Sequence, residues 1–158
     1  MAKKAKTNAM RKLDAHKIPY SVLEYETADN LLDGVSVAQK INRPAEAVYK
    51  TLVTQSPDKQ YYVFLVPAEK ELHLKKAART ADEKKLEMIP AKELLTVTGY
   101  IKGGCSPIGM KKKFPTFAAK PVNKELKMIV SAGQIGIQIE LKAEDLLDIT
   151  EAKEADIL

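Results

Sequence analysis

Residues 99–113 read Gly-Tyr-Ile-Lys-Gly-Gly-Cys-Ser-Pro-Ile-Gly-Met-Lys-Lys-Lys and interrupt an otherwise apolar part of the chain. Glycine allows backbone angles that other residues avoid, and proline lacks a backbone donor, so this stretch is neither regular helix nor regular strand. It predicts a long, shaped loop. Its exposed backbone N–H groups and trailing lysines suit an anionic or carbonyl-bearing ligand. The alternative is an ordinary wide turn followed by solvated lysines.

The segments on either side of this loop alternate irregularly between helical and extended patterns. Thr7 is a suitable N-cap for the first helix and Ser36 for the second, and residues 56–59 have good turn chemistry for a hairpin. Irregular mixing of helices with hairpins favours an α+β fold, here a mixed, partly closed sheet or barrel surrounded by helices. The predicted helices are 8–17, 37–41, 74–80, 90–97 and 143–149; the predicted strands are 20–25, 49–55, 61–66, 85–88, 114–118, 127–131 and 135–141.

The last predicted strand has the clearest alternation. Isoleucine or leucine occupies positions 135, 137, 139 and 141, whereas Gly136, Gln138 and Glu140 lie between them. Successive side chains of a strand point to opposite faces, so this pattern predicts a half-buried strand with one polar face.

Length and composition exclude several classes of protein. A chain of 158 residues suits one domain over 1–158, with residues 1–7 as a basic tail. We expect a cytoplasmic protein without a membrane segment, because no apolar run approaches the length of a bilayer span and the chain has one cysteine. Two histidines and one cysteine give no metal-ligand spacing, so neither a metal nor another cofactor is expected. The net charge of +5 points weakly to a polyanionic partner.

Few residues are candidates for chemistry on sequence grounds alone. Lys50 begins an apolar strand, where it either reaches outward to solvent or points into a pocket. Ser131 precedes Ala-Gly at a strand end and is either a turn-capping serine or a residue beside which a substrate approaches the backbone. Ser106 and Cys105 lack an evident base, and Cys105 is therefore expected to be inert. Tyr25 is expected in the core or in a pocket wall.

Three motifs in the same order and spacing resemble a known family. They are Val-Tyr-Lys-Thr-Leu at 48–52, the loop from 99 to 109 with the lysines that follow it, and Ser-Ala-Gly at 131–133 followed by Ile-Glu-Leu at 139–141. The chain resembles the YbaK/EbsC family of aminoacyl-tRNA deacylases, which are related to the editing domain inserted in bacterial prolyl-tRNA synthetases. The resemblance runs from about residue 13 to the C-terminus.

The resemblance implies a free-standing editing enzyme that hydrolyses the ester joining a wrong amino acid to tRNA. In the branch typified by YbaK the substrate is cysteinyl-tRNA(Pro), and the thiol of the substrate is expected to attack its own ester. In a related branch, which removes alanine, a positioned water attacks instead. The implied partners are the aminoacyl end of tRNA and prolyl-tRNA synthetase, with the enzyme as a monomer or a homodimer.

The resemblance also assigns roles to residues. Lys50 anchors the 3′-terminal nucleotide or substrate, and the loop and the region of Ser131 form the amino-acid pocket. The expected site is catalytic Lys50, Gly103, Gly104 and Ser131; substrate-binding Tyr25, Asp33, Thr51, Ser106, Pro107, Gly109, Gly133 and Gln138; and tRNA-binding Lys111, Lys112 and Lys113.

Two positions depart from the family pattern. Gln138 stands where many members carry an acidic residue, and Asp33 stands where YbaK-like chains have an aromatic residue. Both positions bear on the choice of amino acid. Removal of alanine or serine by an activated water is therefore one alternative, and a noncatalytic module that binds tRNA or a synthetase is another.

Overall fold

A hairpin at the centre of the molecule organises the larger of two sheets in the computed structural model, which describes residues 6–158. Strands β2 (Tyr49–Gln55) and β3 (Tyr61–Pro67) pair antiparallel along their full length. The short strand β4 (Glu87–Met88) joins the far end of β2, while β5 (Thr116–Ala119) and β8 (Lys153–Ala155) extend the sheet from β3 in parallel. The resulting order is β4-β2-β3-β5-β8.

The smaller sheet has three antiparallel strands in the order β1-β7-β6. These are β1 (Ser21–Glu24), β6 (Lys127–Gln134) and β7 (Ile137–Lys142). A single parallel bridge between Val48 and Ile129 joins the two sheets. The mixed α+β class is confirmed, and the strands form two sheets that do not close into a barrel.

Five α-helices of the described chain cover the sheets: α1 (Asn8–Ala15), α2 (Gly34–Lys40), α3 (Leu74–Thr80), α4 (Ala91–Thr98) and α5 (Ala143–Thr150). Thr7 caps α1 as predicted, its hydroxyl accepting from the backbone N–H of Met10. The predicted cap at Ser36 is wrong. The carboxylate of Asp33 caps α2 instead, accepting from both the N–H and the hydroxyl of Ser36, so the helix begins earlier than its apolar residues suggest.

The largest core cluster lies between α1, α5 and the two sheets. Leu13, Leu65, Ile139 and Leu146 are fully buried in it. Burying each such side chain contributes about 1.5–3 kcal/mol.

The prediction of one polar face on β7 is wrong, because both of its faces are covered. Ile137, Ile139 and Leu141 enter the core, yet Gln138 on the other face is also buried. Glu140 on that face accepts from the guanidinium of Arg43, with Nε 2.7 Å from Oε2. The face of β7 that was predicted to be exposed is therefore covered, and its polar side chains are a buried amide and one member of an ion pair.

The C-terminal end of the chain contains a strand that the sequence analysis did not predict. Strand β8 adds to the edge of the large sheet, and Ile157 beyond it is fully buried beside Phe64 and Ala77. The C=O of Ile157 accepts from the N–H of His73, which ties the end of the chain to the start of α3.

Candidate functional site

The principal cavity has a volume of about 450 Å³ and lies along the exposed edge of β2. This volume is in the range of small-ligand sites. Residues 48–53 all line the cavity. Because side chains of a strand alternate between faces, six consecutive residues reach one cavity only when it meets the strand edge-on. The remaining lining residues are Tyr25, Leu32, Gly34, Val37, Met88, Ile89, Ala91, Leu94, Lys102, Gly103, Cys105, Ser131 and Gln138.

Lys50 contributes one of the two cations in the cavity wall. Its side chain is 29% exposed, and its Nζ lies 3.8 Å from Oε1 of Glu71, whose side chain is 94% exposed. A pair of this kind at the surface contributes little to stability. The ammonium group is therefore available for a ligand in the cavity, which is the pocket interpretation of Lys50.

Ser131 and Gln138 form a polar patch on the wall contributed by the small sheet. They are directly opposite each other on β6 and β7, so their side chains share a face. The Ser131 hydroxyl accepts from the N–H of Gly133 at 3.2 Å and keeps its own proton for another acceptor. Gln138 is 6% exposed, and its side-chain amide has no hydrogen-bond partner in residues 6–158. A ligand in the cavity meets one free hydroxyl donor and one free amide.

Thr51 adds a second polar group that lacks a partner. Its Oγ1 is buried and forms no hydrogen bond within the described chain. An unsatisfied buried hydroxyl costs about 1–3 kcal/mol.

The glycine-rich loop borders the cavity with only part of its length. Gly103 lines the cavity, whereas Gly104 packs on the turn between β6 and β7, where an added Cβ would lie 3.0 Å from the backbone N of Ile135. Ser106 is fully buried and its hydroxyl accepts from the N–H of Ile108. Ser106 therefore stabilises the shape of the loop and does not line the cavity.

Tyr100 holds the interior of the loop in place. It is 5% exposed, and its hydroxyl donates to the C=O of Ile108 at 2.6 Å. A Cβ added to Gly133 would approach its ring to 2.6 Å, and one added to Gly109 would approach its hydroxyl to 2.9 Å. These two glycines give room to the tyrosine and do not line the cavity.

Cys105 lies in the cavity wall and is 8% exposed. Burial raises the pKa of its thiol to about 11. The neutral thiol is a poor nucleophile.

The three lysines after the loop lie away from the cavity. Lys111 packs on Gly99, and its Nζ lies 3.4 Å from the C=O of Thr96. Lys113 forms an ion pair with Glu151. Lys112 and Lys113 line a separate depression of about 60 Å³, together with Pro107 and Gly109.

On the α2 side, Tyr25 lines the cavity but Asp33 does not. The Asp33 carboxylate is occupied as the helix cap, and its hydrogen bonds with Ser36 lower its pKa. The next residue, Gly34, lines the cavity and packs against Ala68, whereas Asp33 itself is not among the lining residues.

The structure adds lining residues that sequence reasoning missed. The most distinctive is Lys102, an exposed residue in the turn before Gly103 whose ammonium group has no hydrogen bond or ion pair in residues 6–158. Only its position beside the glycines could have indicated it. The apolar wall, formed in part by Leu32, Val37, Met88 and Leu94, has no motif of its own.

The described residues that line the cavity provide no nucleophile paired with a histidine or carboxylate base. Of the described residues that line it, none is a histidine, an aspartate or a glutamate. Within residues 6–158 there is also no cluster of histidine, cysteine and acidic residues that could hold a metal ion. None of the helices in this range is long and apolar enough to cross a membrane. Of the basic tail expected over residues 1–7, residues 1–5 lie outside the described residues.

Comparison with known proteins places the fold and the sequence in one family. A family model described as an aminoacyl-tRNA editing domain matches residues 30–149. The proposed Cys-tRNA(Pro)/Cys-tRNA(Cys) deacylase EbsC of Enterococcus faecalis is 44% identical over 99% of this chain and 98% of its own length. The proline–tRNA ligase of Lactobacillus gasseri is 25% identical over 77% of this chain, which corresponds to 22% of that larger protein.

A solved structure has the same fold. A proposed trans-editing enzyme for prolyl-tRNA synthetase superposes with a TM-score of 0.82 over 98% of both chains at 22% identity. The matched family model and the relative EbsC confirm the YbaK/EbsC resemblance of the three motifs over nearly the whole chain. The matched model and the 44% identity along nearly the full length show that this chain belongs to the family of aminoacyl-tRNA editing domains.

Proposed function

We propose that this enzyme, an aminoacyl-tRNA deacylase by family, removes cysteine from mischarged proline tRNA and that the substrate supplies the nucleophile. The observation that carries the proposal is a cavity lined by Lys50, Gly103 and Ser131 but by no histidine or carboxylate of residues 6–158. A cavity without a general base suits a substrate whose own side chain attacks. The name of the relative from Enterococcus faecalis supports cysteine as the amino acid.

The proposed reaction has two steps. The substrate sulfur forms a bond to its own ester carbonyl carbon, the ester C–O bond breaks, and the thiol proton passes to the departing 3′-oxygen of the tRNA. A four-membered thiolactone is released, and water hydrolyses it to cysteine. The chain would contribute positioning and stabilisation of the charge that develops on the carbonyl oxygen. Lys50 and backbone N–H groups near Gly103 are the proposed donors, each worth about 3–4 kcal/mol when well placed.

The polar patch of Ser131 and Gln138 is proposed to contact the amino-acid side chain. It combines one hydroxyl and one neutral amide in a mostly apolar cavity, which suits a small group such as a thiol. Tyr25 and Thr51 are proposed to complete this part of the site. Gly104, Ser106, Gly109 and Gly133 are proposed to act indirectly, by holding the loop and Tyr100 in shape.

The proposal predicts a characteristic substrate profile. Purified enzyme should hydrolyse cysteinyl-tRNA(Pro) much faster than 2-aminobutyryl-tRNA(Pro), in which a methyl group replaces the thiol at nearly constant size. Alanyl-, seryl- and prolyl-tRNA(Pro) complete the panel, each measured with and without prolyl-tRNA synthetase. Equal rates for the cysteinyl and 2-aminobutyryl esters would instead support attack by water. Binding of tRNA without hydrolysis of any ester would support a noncatalytic module.

The role of Lys50 has a separate test. Lys50→Ala should lower the deacylation rate at least about 100-fold, which is the loss expected when one well-placed, positively charged hydrogen-bond donor is removed. Its only ion-pair partner in residues 6–158 is the exposed Glu71, so the melting temperature should hardly change. Lys124→Ala, which removes an equal charge from an exposed loop outside the cavity, is the matched control. Near-normal turnover of Lys50→Ala would contradict the role proposed for Lys50.

A further inference from the structure

One edge of β2 lacks a neighbouring strand where it borders the cavity. On its other edge β2 pairs with β3 from Tyr49 to Gln55. On the cavity side, within residues 6–158, strand pairing occurs only at Thr54 and Gln55, with β4, and next to the start of β2 through the single bridge between Val48 and Ile129. The intervening stretch is an open strand edge inside a binding cavity.

The direction of each backbone group on this strand follows from hydrogen bonds at its two ends. The C=O of Val48 accepts from the N–H of Ala68, which follows β3, at 2.8 Å. The C=O of Val53 accepts from the N–H of Ile89, which follows β4, at 3.2 Å. In an antiparallel ladder the backbone groups of successive residues point to opposite edges, so residues two apart share an edge and Thr51 shares the edge of Val53. Thr51 therefore directs both its N–H and its C=O toward the open edge.

The small sheet does not cover this position. The bridge at Val48 and Ile129 does not continue to Lys50 and Ser131, and after Ser131 strand β6 also shifts its register with β7. The N–H of Gly133, which follows Ala132 on β6, donates to the Ser131 hydroxyl and therefore not to β2. The cavity occupies the space beside the strand, and the Oγ1 of Thr51 has no partner either.

We infer that the main chain of Thr51 binds the aminoacyl group of the substrate as one rung of a β-ladder. Its N–H donates to the ester carbonyl oxygen, and its C=O accepts from the α-ammonium group. An amino-acid ester carries this acceptor and this donor at the spacing of one residue of a strand, so both bonds form with the same residue. The inference rests on the proposed function and names the part of the substrate that is recognised.

This contact divides recognition into two parts. Thr51 holds the atoms that all α-amino acids share, and it presents the carbonyl carbon in a fixed orientation. The side chain of the substrate is then left to the patch of Ser131 and Gln138, with Tyr25 and the Thr51 hydroxyl beside it. The N–H of Thr51 also donates to the oxygen on which negative charge develops, so the contact strengthens as the thiol attacks.

A substrate without the α-amino group tests the contact to the C=O of Thr51. The probe is 3-mercaptopropionyl-tRNA(Pro), which keeps the thiol and the ester. Each enzymatic rate is divided by the spontaneous hydrolysis rate of the same ester, because deamination alters its reactivity. We expect kcat/KM normalised in this way to fall about 10- to 100-fold relative to cysteinyl-tRNA(Pro), as for loss of a charge-assisted hydrogen bond. An unchanged normalised value would overturn the inference.

The variant Thr51→Val separates the main chain from the hydroxyl. It keeps the backbone and the shape of the residue but removes Oγ1. The ratio of normalised kcat/KM between the cysteinyl and the deaminated substrate should be the same in this variant as in the wild type, whatever the absolute rate of the variant. Loss of the ratio would assign the contact to the hydroxyl and overturn the main-chain assignment.

Amide exchange tests the contact made by the N–H of Thr51. The probe is 3′-cysteinylamino-3′-deoxyadenosine, in which an amide replaces the ester and cannot be cleaved by the enzyme. Saturation should slow hydrogen exchange at the Thr51 amide at least about tenfold, whereas the amide of Leu52, which faces β3, serves as the internal control. An unchanged Thr51 amide in the saturated complex, or no binding at millimolar concentration, would overturn the inference. Wild-type enzyme that hydrolyses no cysteinyl ester would instead refute the proposed function.

Discussion

Cys105 shows how burial decides the chemistry of a single side chain. It lies between Gly104 and Ser106 in the most glycine-rich part of the chain, and it reaches the cavity wall. Apart from Thr98, its surroundings are largely apolar and include Val53, Leu94 and Tyr100. An ionised thiolate has no compensating charge there, which is why the pKa of this thiol is raised.

We predict that alkylation of Cys105 by iodoacetamide is slow at pH 8 and accelerates as the pH approaches about 11. A pKa two units above the ordinary value leaves about 100-fold less thiolate at pH 8, and burial slows access further. Mass spectrometry of the alkylated protein measures the rate, with free cysteine as the reference. Cys105→Ala should keep most of the deacylation rate; a loss comparable to that of Lys50→Ala would show that this thiol takes part in the reaction.

The ion pair between Arg43 and Glu140 predicts how stability depends on pH. The guanidinium lowers the pKa of the Glu140 carboxyl, whose side chain is 11% exposed. A lowered pKa in the folded state adds stability above the unfolded value of about 4.3, and this stability is lost as the pH falls through the folded value. Glu140→Gln should therefore lower the free energy of unfolding by about 1–2 kcal/mol at pH 7 and by less at pH 4.

Urea unfolding at pH 7, 5 and 4 measures this effect. Glu144→Gln is the matched control. The Glu144 side chain is 55% exposed, and its Oε2 lies 3.7 Å from Nζ of Lys142 in a surface ion pair. A difference between wild type and Glu140→Gln that does not shrink toward pH 4 would contradict the prediction.

At the scale of elements, the glycine-rich loop combines two kinds of residue. Gly103 and Lys102 border the cavity, whereas Gly104, Ser106 and the residues around Tyr100 hold the loop on the turn between β6 and β7. The glycines of the loop and of β6 are therefore required for close packing as much as for contact with a ligand.

A matched pair of glycine variants tests this packing. Gly133 and Gly136 both have positive φ, 101° and 97°, so alanine strains the backbone at either position. At Gly133 the new Cβ also meets the Tyr100 ring at 2.6 Å, whereas at Gly136 its nearest neighbour is the Thr27 methyl at 3.2 Å. Gly133→Ala should lower the free energy of unfolding, measured in urea, by about 1–3 kcal/mol more than Gly136→Ala does, because it overpacks the interior. Equal costs would show that the ring yields.

At the scale of the whole molecule, the cavity exists because two sheets meet at one bridge and then diverge. Val48 and Ile129 join them, and the space beyond the bridge is lined by β2, β6, β7, α4 and the loop. Lysines are distributed unevenly around this space. Lys50 and Lys102 line the cavity, whereas Lys113 is paired with Glu151 on another part of the surface.

We predict that Lys102 contacts a phosphate of the tRNA 3′ end. Its ammonium is at the cavity wall and has no partner among residues 6–158, so it is free to neutralise a phosphate. Lys102→Ala should raise KM for aminoacyl-tRNA several-fold and reduce the slope of log affinity against log salt by about 0.7–0.9, the value for one lost phosphate contact. Lys124→Ala is again the control. If both variants lose affinity equally, only general charge attraction is involved.

The sequence by itself determined the local elements and the family. Within residues 6–158, local patterns located all five α-helices and seven of the eight strands, because amphipathic spacing and turn residues act over a few neighbours. The three motifs indicated the family, and six of the site residues expected from that resemblance line one cavity: Lys50, Gly103, Ser131, Tyr25, Thr51 and Gln138. The missed strand β8 is short and polar, and it forms only because β5 offers it an edge.

Only the tertiary structure decided which residues of each motif face the cavity. Ser106, Gly109 and Gly133 resemble ligand-binding residues in sequence, but the buried ring of Tyr100 and the closed shape of the loop account for their positions. Lys102 is marked in the sequence only by its position beside the glycines. The open edge at Thr51 carries no sequence signal, because a strand edge is free or paired according to where distant segments end. The fold therefore follows from local pattern, whereas the site depends on how two sheets that are far apart in sequence come together.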